Sequence, residues 1–400
     1  MRFETVNLKD LCFVITKGTT PSNIGETFTE QGIKYIRSEM LTSSKYVSGE
    51  FLHISPETHE KLKRSQLQEG DILFSMAGAY LGKTAILRAE DVPANTNQAA
   101  ALIRVNTEKC NNEYVYYFLN IPEVVQTANT VQSQSAQPNI NLKQIGMLKI
   151  SLPNEICQNK IVQILSNYDD LIENNQKEIK LLEEAAQRLY KEWFVDLHFP
   201  GYEDVEIVDG VPEGWTSGVL GDVAINSGKK EKKEKRNNYK YYLPIDCIPK
   251  KSLGYDQVKD VSLAKSSLIG FQKGDILFGA MRPYFHKVVV ARDKGLTRTT
   301  CFVLNAKEPS YWSYIAMLLF TNDTVDYATQ ISVGTTMPYV RWKDMRNMLI
   351  IIPDEEIAES FNKQIQPIID NIASLSEQII LLQQARDRLL PKLMSGEIEV

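Results

Sequence analysis

Apolar side chains between residues 161 and 193 recur in alternating steps of four and three residues, which is the spacing of a heptad repeat. Glu and Lys occupy the other faces, and neither Pro nor Gly interrupts the stretch. The pattern predicts one long amphipathic helix. Its predicted seam consists of Ile161, Leu165, Tyr168, Ile172, Asn175, Ile179, Leu182, Ala186, Leu189 and Trp193, with Asn175 as the polar gap.

The same seam recurs 200 residues later along the chain. A single solvated helix would not predict this coincidence, so we expect two long helices that pair with each other. Asn175 stands where the repeat has Leu375, and Ala186 stands where it has Arg386. At these two positions, the departures from the repeat either specify how the helices pair or form a surface that binds a partner. The second seam consists of Phe361, Ile365, Ile368, Ile372, Leu375, Ile379, Leu382, Arg386, Leu389 and Leu393.

The segments before each helix predict two related mixed α/β domains. In residues 1–152, short β-branched or aromatic runs predict strands at 33–37, 71–74, 84–87 and 100–105, and helices are predicted at 56–63 and 113–120. Gln-Glu-Gly-Asp-Ile-Leu-Phe at 68–74 returns as Gln-Lys-Gly-Asp-Ile-Leu-Phe at 272–278. The loops between such anchors have little in common, which indicates one scaffold used twice with two different surfaces.

Charge divides unevenly along the chain, although the total is only −5. Residues 214–352 carry 21 basic against 12 acidic residues, whereas the helical segments 153–200 and 353–400 have net charges of −4 and −5. We therefore expect the globular halves to contact a polyanion and the helices to contact protein. The five isolated cysteines and four histidines predict neither a disulfide framework nor a metal site. The absence of an 18-residue apolar run or an apolar leader predicts a cytoplasmic protein without a membrane partner.

A dense basic run is the strongest candidate for contact with DNA phosphates. It consists of Lys229, Lys230, Lys232, Lys233, Lys235 and Arg236, followed by Lys240 among tyrosines 239–242. The run alone is equally typical of a disordered, solvated loop, and the basic half around it favours DNA. In the first half, the Gln-, Asn- and Ser-rich loop at 133–141 either stays solvated or reads base edges, with Gln134, Gln137 and Asn139 as candidates.

Ala-Gly-Ala-Tyr-Leu-Gly-Lys-Thr at 77–84 approximates a phosphate-binding loop, but its repeat counterpart at 281–288 keeps the Lys and loses both glycines. We interpret both stretches as hairpin turns, with Lys83, Arg282 and Lys287 as candidate DNA contacts. No paired carboxylates, Ser/His/Asp set, Cys/His set or methyltransferase motif stands out, so the chain is expected to recognise a ligand without catalysing a reaction.

The sequence resembles the specificity subunits of type I restriction–modification enzymes over its whole length. The resemblance depends on Gly-Asp-Ile-Leu-Phe in both halves, on Arg-Leu-Tyr-Lys-Glu-Trp-Phe-Val-Asp at 188–196 and on Arg-Leu-Leu-Pro-Lys-Leu-Met-Ser-Gly-Glu-Ile at 388–398. It implies two target recognition domains, 1–153 and 197–352, separated by two antiparallel coiled-coil helices, 154–196 and 353–400. Connectivity favours the antiparallel arrangement as well, because a parallel pair would require the linker at 194–214 to return along the whole helix.

The resemblance also implies partners. Each domain would read one half of an asymmetric bipartite site in double-stranded DNA, while the helices would set the spacer and dock two modification subunits. S-adenosylmethionine would bind those subunits, and ATP and Mg²⁺ would serve restriction (motor–nuclease) subunits, with no cofactor on this chain. Two alternatives remain at this stage. One is a methyltransferase or ATPase with degenerate motifs, and the other is a two-domain coiled-coil scaffold or a DNA-binding protein without restriction–modification partners.

Overall fold

The computed structural model describes residues 3–42, 44–130, 139–265 and 267–400. The chain divides into two compact units. Unit 1 combines Met1–Asp170 with Leu382–Val400, and unit 2 is Leu171–Leu381. Each unit therefore contains one globular domain and a portion of both long helices.

Unit 1 is a mixed α/β domain. Its four predicted strands lie within one residue of the expected bounds, because their β-branched and aromatic side chains pack in the two sheets of the unit. In chain order the elements are β1 Glu4–Asn7, β2 Cys12–Lys17, β3 Ile33–Ile36, β4 Leu52–Ile54, α1 Pro56–Lys61, β5 Gln66–Leu67, β6 Ile72–Ser75, β7 Thr84–Ile86, β8 Ala94–Thr96, β9 Ala100–Val105, α2 Asn112–Leu119, α3 Pro122–Thr130, α4 Leu142–Gly146, β10 Lys149–Leu152 and the long helix α5 Glu155–Phe194, which continues into unit 2.

Unit 2 repeats this mixed α/β plan and contains the start of the second long helix. In chain order its elements are β11 Ile207–Val208, β12 Val211–Pro212, β13 Thr216–Val219, α6 Leu220–Val223, β14 Ala224–Asn226, β15 Lys229–Glu231, β16 Tyr241–Tyr242, β17 Leu268–Phe271, β18 Ile276–Gly279, β19 Val288–Val290, β20 Gly295–Arg298, β21 Cys301–Ala306, α7 Trp312–Leu319, α8 Asn322–Gln330, α9 Trp342–Met345, β22 Leu349–Ile352 and the long helix α10 Glu355–Ser395.

Sheet topology confirms the internal repeat. The antiparallel sheet β2-β9-β6-β7 of unit 1 has its counterpart in β14-β21-β18-β19 of unit 2. A second sheet shares three strands, β3-β8-β5 and β16-β20-β17, including one parallel pair in each unit. Its fourth strand differs, because β4 joins the β3 edge in unit 1 whereas β15 joins the β17 edge in unit 2. The scaffold is therefore shared, and the edge strand is added on opposite sides.

The repeated Gly-Asp-Ile-Leu-Phe element has a structural role in both units. Gly70 and Gly274 have φ values of +80° and +86°, a backbone conformation that favours glycine. The carboxylates of Asp71 and Asp275 each accept the backbone N–H three residues earlier at 2.7 Å and so close the turn. The Ile-Leu-Phe that follows in each unit is fully buried at the centre of the first sheet. The motif consequently marks the scaffold and does not face a ligand.

The two long helices run antiparallel where they pair within unit 2. The side-chain amide of Asn175 lies 3.3 Å from Gln378, and the rings of Phe194 and Phe361 lie 4.8 Å apart. Residue numbers thus rise along α5 while those of their partners fall along α10. This confirms the predicted antiparallel arrangement, and Asn175 takes part in helix pairing.

The predicted seam is buried at most positions but not at all of them. A second buried stripe lies one residue beyond several of the seam positions, and it includes Asp169, Glu183, Tyr190, Ile369, Ser376 and Leu390. The globular domains cover it; Tyr314 of α7, for example, stacks on Tyr190 at 6.0 Å. The buried face is therefore wider than a two-helix seam, because each helix packs against a domain as well as its partner. The half-buried seam positions are Tyr168, Asn175, Leu182, Leu189, Ile368, Leu382, Arg386 and Leu389.

Two acidic residues of the second buried stripe tie the domains to α5. In unit 1, Asp169 accepts a hydrogen bond from Tyr117 of α2 at 2.6 Å and forms an ion pair with Arg386 of α10 at 2.5 Å. In unit 2, Glu183 accepts hydrogen bonds from the Ser252 hydroxyl and the Leu253 N–H, each at 2.7 Å. Burial raises the pKa of Glu183 above its usual value despite these bonds. The ion pair between Arg386 and Asp169 therefore links α10 to α5.

The same positions in the other half of the repeat are apolar. Adding 200 to Tyr117 and Asp169 gives Met317 and Ile369, and subtracting 200 from Arg386 gives Ala186. Met317, Ile369 and Ala186 all belong to the buried hydrophobic cluster of unit 2. Unit 1 therefore has a polar triad, Tyr117, Asp169 and Arg386, at these positions. Unit 2 has three apolar side chains at the equivalent positions.

Candidate nucleic-acid interface

The basic run begins in a strand of unit 2 and continues into a 3₁₀ helix. Its first two lysines lie in β15, the edge strand that pairs only with β17 in the second sheet. A 3₁₀ helix, Lys233–Asn238, follows directly. The five lysines at 229, 230, 232, 233 and 235 are exposed. Since an exposed edge lined with Lys resists pairing with another strand, the same residues both protect the edge and present positive charge.

Three of the candidate cations in unit 2 are already used inside the protein. Lys240 lies 2.8 Å from Asp293 and 3.5 Å from Glu377, and the hydrogen bond with Asp293 raises the pKa of its ammonium group. Arg236 is half-buried and donates to the carbonyl of Ser262 at 3.3 Å. Lys287 donates to the carbonyl of Ile245 at 2.6 Å, and burial lowers the pKa of this lysine. The exposed lysines of the run are therefore better placed for phosphate than these three.

The two Lys-bearing turns adopt the same hairpin, as the repeat predicts. In unit 1, β6 and β7 are joined by the 3₁₀ turn Gly78–Tyr80, and the glycines at 78 and 82 have φ values of +72° and +82°. In unit 2, β18 and β19 are joined by the turn Pro283–Phe285, and Arg282 and His286 have φ values of 51° and 50°. The left-handed backbone is thus kept where the glycines are lost, although a side chain there costs about 1–2 kcal/mol.

Packing holds the left-handed residues of unit 2 in place. The backbone N–H of Arg282 donates to the carbonyl of Pro338 at 2.7 Å, and its guanidinium donates to the carbonyl of Thr336 at 3.3 Å. The buried imidazole of His286 donates to the carbonyl of Phe320 at 3.1 Å. Burial lowers the pKa of His286, so the ring is neutral at pH 7. Strained backbone that its surroundings maintain is a common feature of binding sites.

Each hairpin tip is bridged to a later segment of its own unit. Ala77 pairs with Asn139 in unit 1, and Met281 pairs with Tyr339 in unit 2. These bridges are equivalent in the repeat, because Met281 aligns with Ala77 and Tyr339 aligns with Asn139. Lys83 is exposed beside the first tip. The candidates Gln134 and Gln137 lie outside the described residues. The structure thus brings Lys83 and Asn139 to one end of unit 1, and Arg282 to the matching end of unit 2.

Sequence reasoning missed one pair of residues at these tips. Tyr80 and Tyr284 are the fourth residues of the two aligned turns, and both side chains are exposed. The signal was present, because the two stretches align without a gap and share this Tyr as well as the Lys. A Tyr in a turn does not by itself indicate a binding site. The left-handed backbone at the same aligned positions of both turns shows that the two tyrosines occupy equivalent places.

Two absences hold for the part of the chain that the structure describes. No group of three His, Cys, Asp or Glu side chains among these residues is arranged to hold a metal ion. None of the helices in the described ranges is long and apolar enough to cross a membrane.

Comparisons with known proteins agree with the repeat and with recognition of DNA. The family described as "Type I restriction modification DNA specificity domain" matches residues 2–184 and again 212–384. The specificity subunit of the type I restriction enzyme MjaIX from Methanocaldococcus jannaschii is 26% identical, with 100% of this chain and 94% of that protein covered. The HindI specificity subunit from Haemophilus influenzae is 21% identical, with 90% and 94% covered.

A solved structure shares the fold. The type I restriction–modification S subunit from M. genitalium matches with a TM-score of 0.56 and 13% identity, covering 98% of this chain and 96% of that one. The double family match spans both globular domains and most of both long helices. With two mixed α/β domains, two long antiparallel helices and this match in each half, the chain belongs to the family of DNA specificity subunits of type I restriction–modification systems.

Proposed function

We propose that each globular domain reads one half of an asymmetric bipartite site in double-stranded DNA. The observation that carries the proposal is the repeat with divergent surfaces: the two units share their first sheet and three strands of the second, yet add the fourth strand on opposite edges. In unit 2 that added strand is β15, which begins the basic run. Two domains with one scaffold and different outer strands are expected to recognise different sequences.

We infer that catalysis resides in partner subunits. Two modification subunits would bind S-adenosylmethionine and methylate DNA, and restriction subunits with ATP and Mg²⁺ would join them, while this chain carries no cofactor. The complex would act in the cytoplasm. The acidic long helices support a role in protein contact, with net charges of −4 and −5 over 153–200 and 353–400. On this proposal the helix pair docks the modification subunits and sets the spacer between half-sites.

The test is methylation by purified components. The chain alone is expected to transfer no methyl group from S-adenosylmethionine to DNA, because its sequence lacks a methyltransferase motif, whereas the chain with modification subunits is expected to methylate one bipartite site. Modification subunits alone serve as the control, and sequencing of methylated positions gives the site. Methyl transfer by the chain alone would contradict the proposal. A complex that assembles but shows no salt-dependent DNA binding would favour the alternative of a coiled-coil scaffold.

A further inference from the structure

The hairpin tips are the feature of the exposed surface that the two domains share in detail. Both units place left-handed residues at the same two aligned positions of the hairpin, Gly78 and Gly82 in unit 1 and Arg282 and His286 in unit 2. Unit 2 thus keeps the backbone shape without glycine, against the steric preference of its residues. The shape itself is therefore needed in both domains, and so is what it presents.

What both tips present is a tyrosine. Tyr80 is 39% exposed and Tyr284 is 49% exposed, and neither hydroxyl has a hydrogen-bond partner within the described ranges. The Tyr284 ring is held edge-on against Phe285 at 4.8 Å, so its orientation is fixed by packing. A large, exposed aromatic ring with few rotatable bonds loses little conformational entropy on binding and is suited to pack against a partner.

The surroundings of the tips favour a nucleic acid as that partner. Lys83 is exposed three residues after Tyr80, and the side chain of Arg282 lies two residues before Tyr284. Lys250 lies 4.5 Å above the ring of Phe285, which adds a further cation beside the second tip. Each tip is also bridged to a later segment of its own unit, at Asn139 in unit 1 and at Tyr339 in unit 2. Exposed rings beside cations fit the sugars and phosphates of duplex DNA better than they fit an apolar protein surface.

We propose that Tyr80 and Tyr284 are DNA-contacting residues common to both domains, each packing its ring against the sugar–phosphate backbone of the duplex independently of the sequence read. This inference rests on the proposed function, in which the domains bind DNA. The loops and the added edge strands would then supply base preference, while the paired tyrosines supply affinity. Because the tips are equivalent in the repeat, the two contacts would be made in the same way at both half-sites.

The test uses the chain assembled with its modification subunits. Its binding is measured on one duplex that contains the recognised bipartite site and on one that lacks it. Tyr284→Leu and Tyr80→Leu are each expected to weaken binding about 10-fold on both duplexes, because each removes one aromatic contact. The base preference should not change. Tyr284→Phe and Tyr80→Phe keep the ring and should bind nearly as the unaltered chain does. Tyr202→Leu removes a comparably exposed tyrosine, 37% exposed, that lies outside the tips, and it should have no effect.

Three results would overturn the inference. The first is unchanged affinity in the Leu variants, and the second is an equal loss in the Phe and Leu variants, which would assign the role to the hydroxyl. The third is failure of the Leu variants to assemble with modification subunits while they keep an unaltered unfolding midpoint, which would make the tips a protein surface. If the unaltered complex itself did not bind DNA, the proposed function would fail, and that outcome is distinct from all three.

Discussion

Neutralising the basic run of unit 2 is expected to weaken DNA binding and to flatten its dependence on salt. The variant replaces Lys229, Lys230, Lys232, Lys233, Lys235 and Arg236 by Gln, which keeps the polarity of the edge strand. Each phosphate contact releases condensed counterions and contributes about 0.9 to the slope of log affinity against log salt. With five exposed lysines in contact, the unaltered complex should lose about 500-fold more affinity between 50 and 200 mM salt than the variant does. Titration of a labelled duplex at several salt concentrations measures both slopes.

Single substitutions within the same domain provide a matched control. Lys233→Gln removes an exposed ammonium and should reduce the slope by about one. Lys240→Gln removes an ammonium that already pairs with Asp293 and Glu377, so the slope should change much less. An unchanged slope in the six-residue variant would show that the basic run does not contact DNA phosphates. A larger effect at Lys240 than at Lys233 would place the phosphates on a different face.

Arg386→Ala is expected to lower the free energy of unfolding by about 3–5 kcal/mol, the cost of leaving one partner of a buried ion pair uncompensated. The side chain of Asp169 is only 3% exposed and that of Arg386 is 13% exposed, so water cannot replace the lost guanidinium well. Asp169 also holds Tyr117, and the substitution therefore weakens the attachment of α2 to both long helices. Urea titration followed by circular dichroism measures the change.

The chain supplies its own control for this effect. The variant Tyr117→Met, Asp169→Ile and Arg386→Ala copies the apolar residues that the other half of the repeat has at the equivalent positions. Replacing a buried ion pair by well-packed hydrocarbon is often neutral or stabilising, so the triple variant should regain most of the stability that Arg386→Ala loses. If Arg386→Ala costs less than about 1 kcal/mol, or if the triple variant is no more stable than the single one, the triad does not have the assigned role.

The architecture could be predicted from the sequence where local pattern and repeat agree. The seam from Ile161 onward reports helical periodicity directly, and its recurrence 200 residues later identifies two helices that belong together. The hairpin at 77–84 was predicted correctly because its counterpart lacks the glycines of a phosphate-binding loop. In both cases a second copy of the pattern within the chain removed an ambiguity that one copy leaves open.

The second buried stripe could not be predicted in the same way. Asp169 and Glu183 are charged and stand one residue beyond a seam position, which is typical of a solvated face. They are buried because Tyr117 and the backbone at 252–254 cover them, and heptad spacing contains no information about contacts so distant in the chain. β15 was missed for a related reason: Lys has low strand propensity, and pairing with β17 overrides it.

The central claim is that each domain independently specifies one half of the recognised site, and exchange of one domain tests it most directly. Residues 1–152 would be replaced by those of a relative, and the methylated positions would be sequenced in a host that supplies the modification subunits. The two domains have separate cores and separate hairpin tips. We therefore expect one half-site to change to that of the relative while the other half-site stays the same. A change in both half-sites, or in neither, would contradict the central claim.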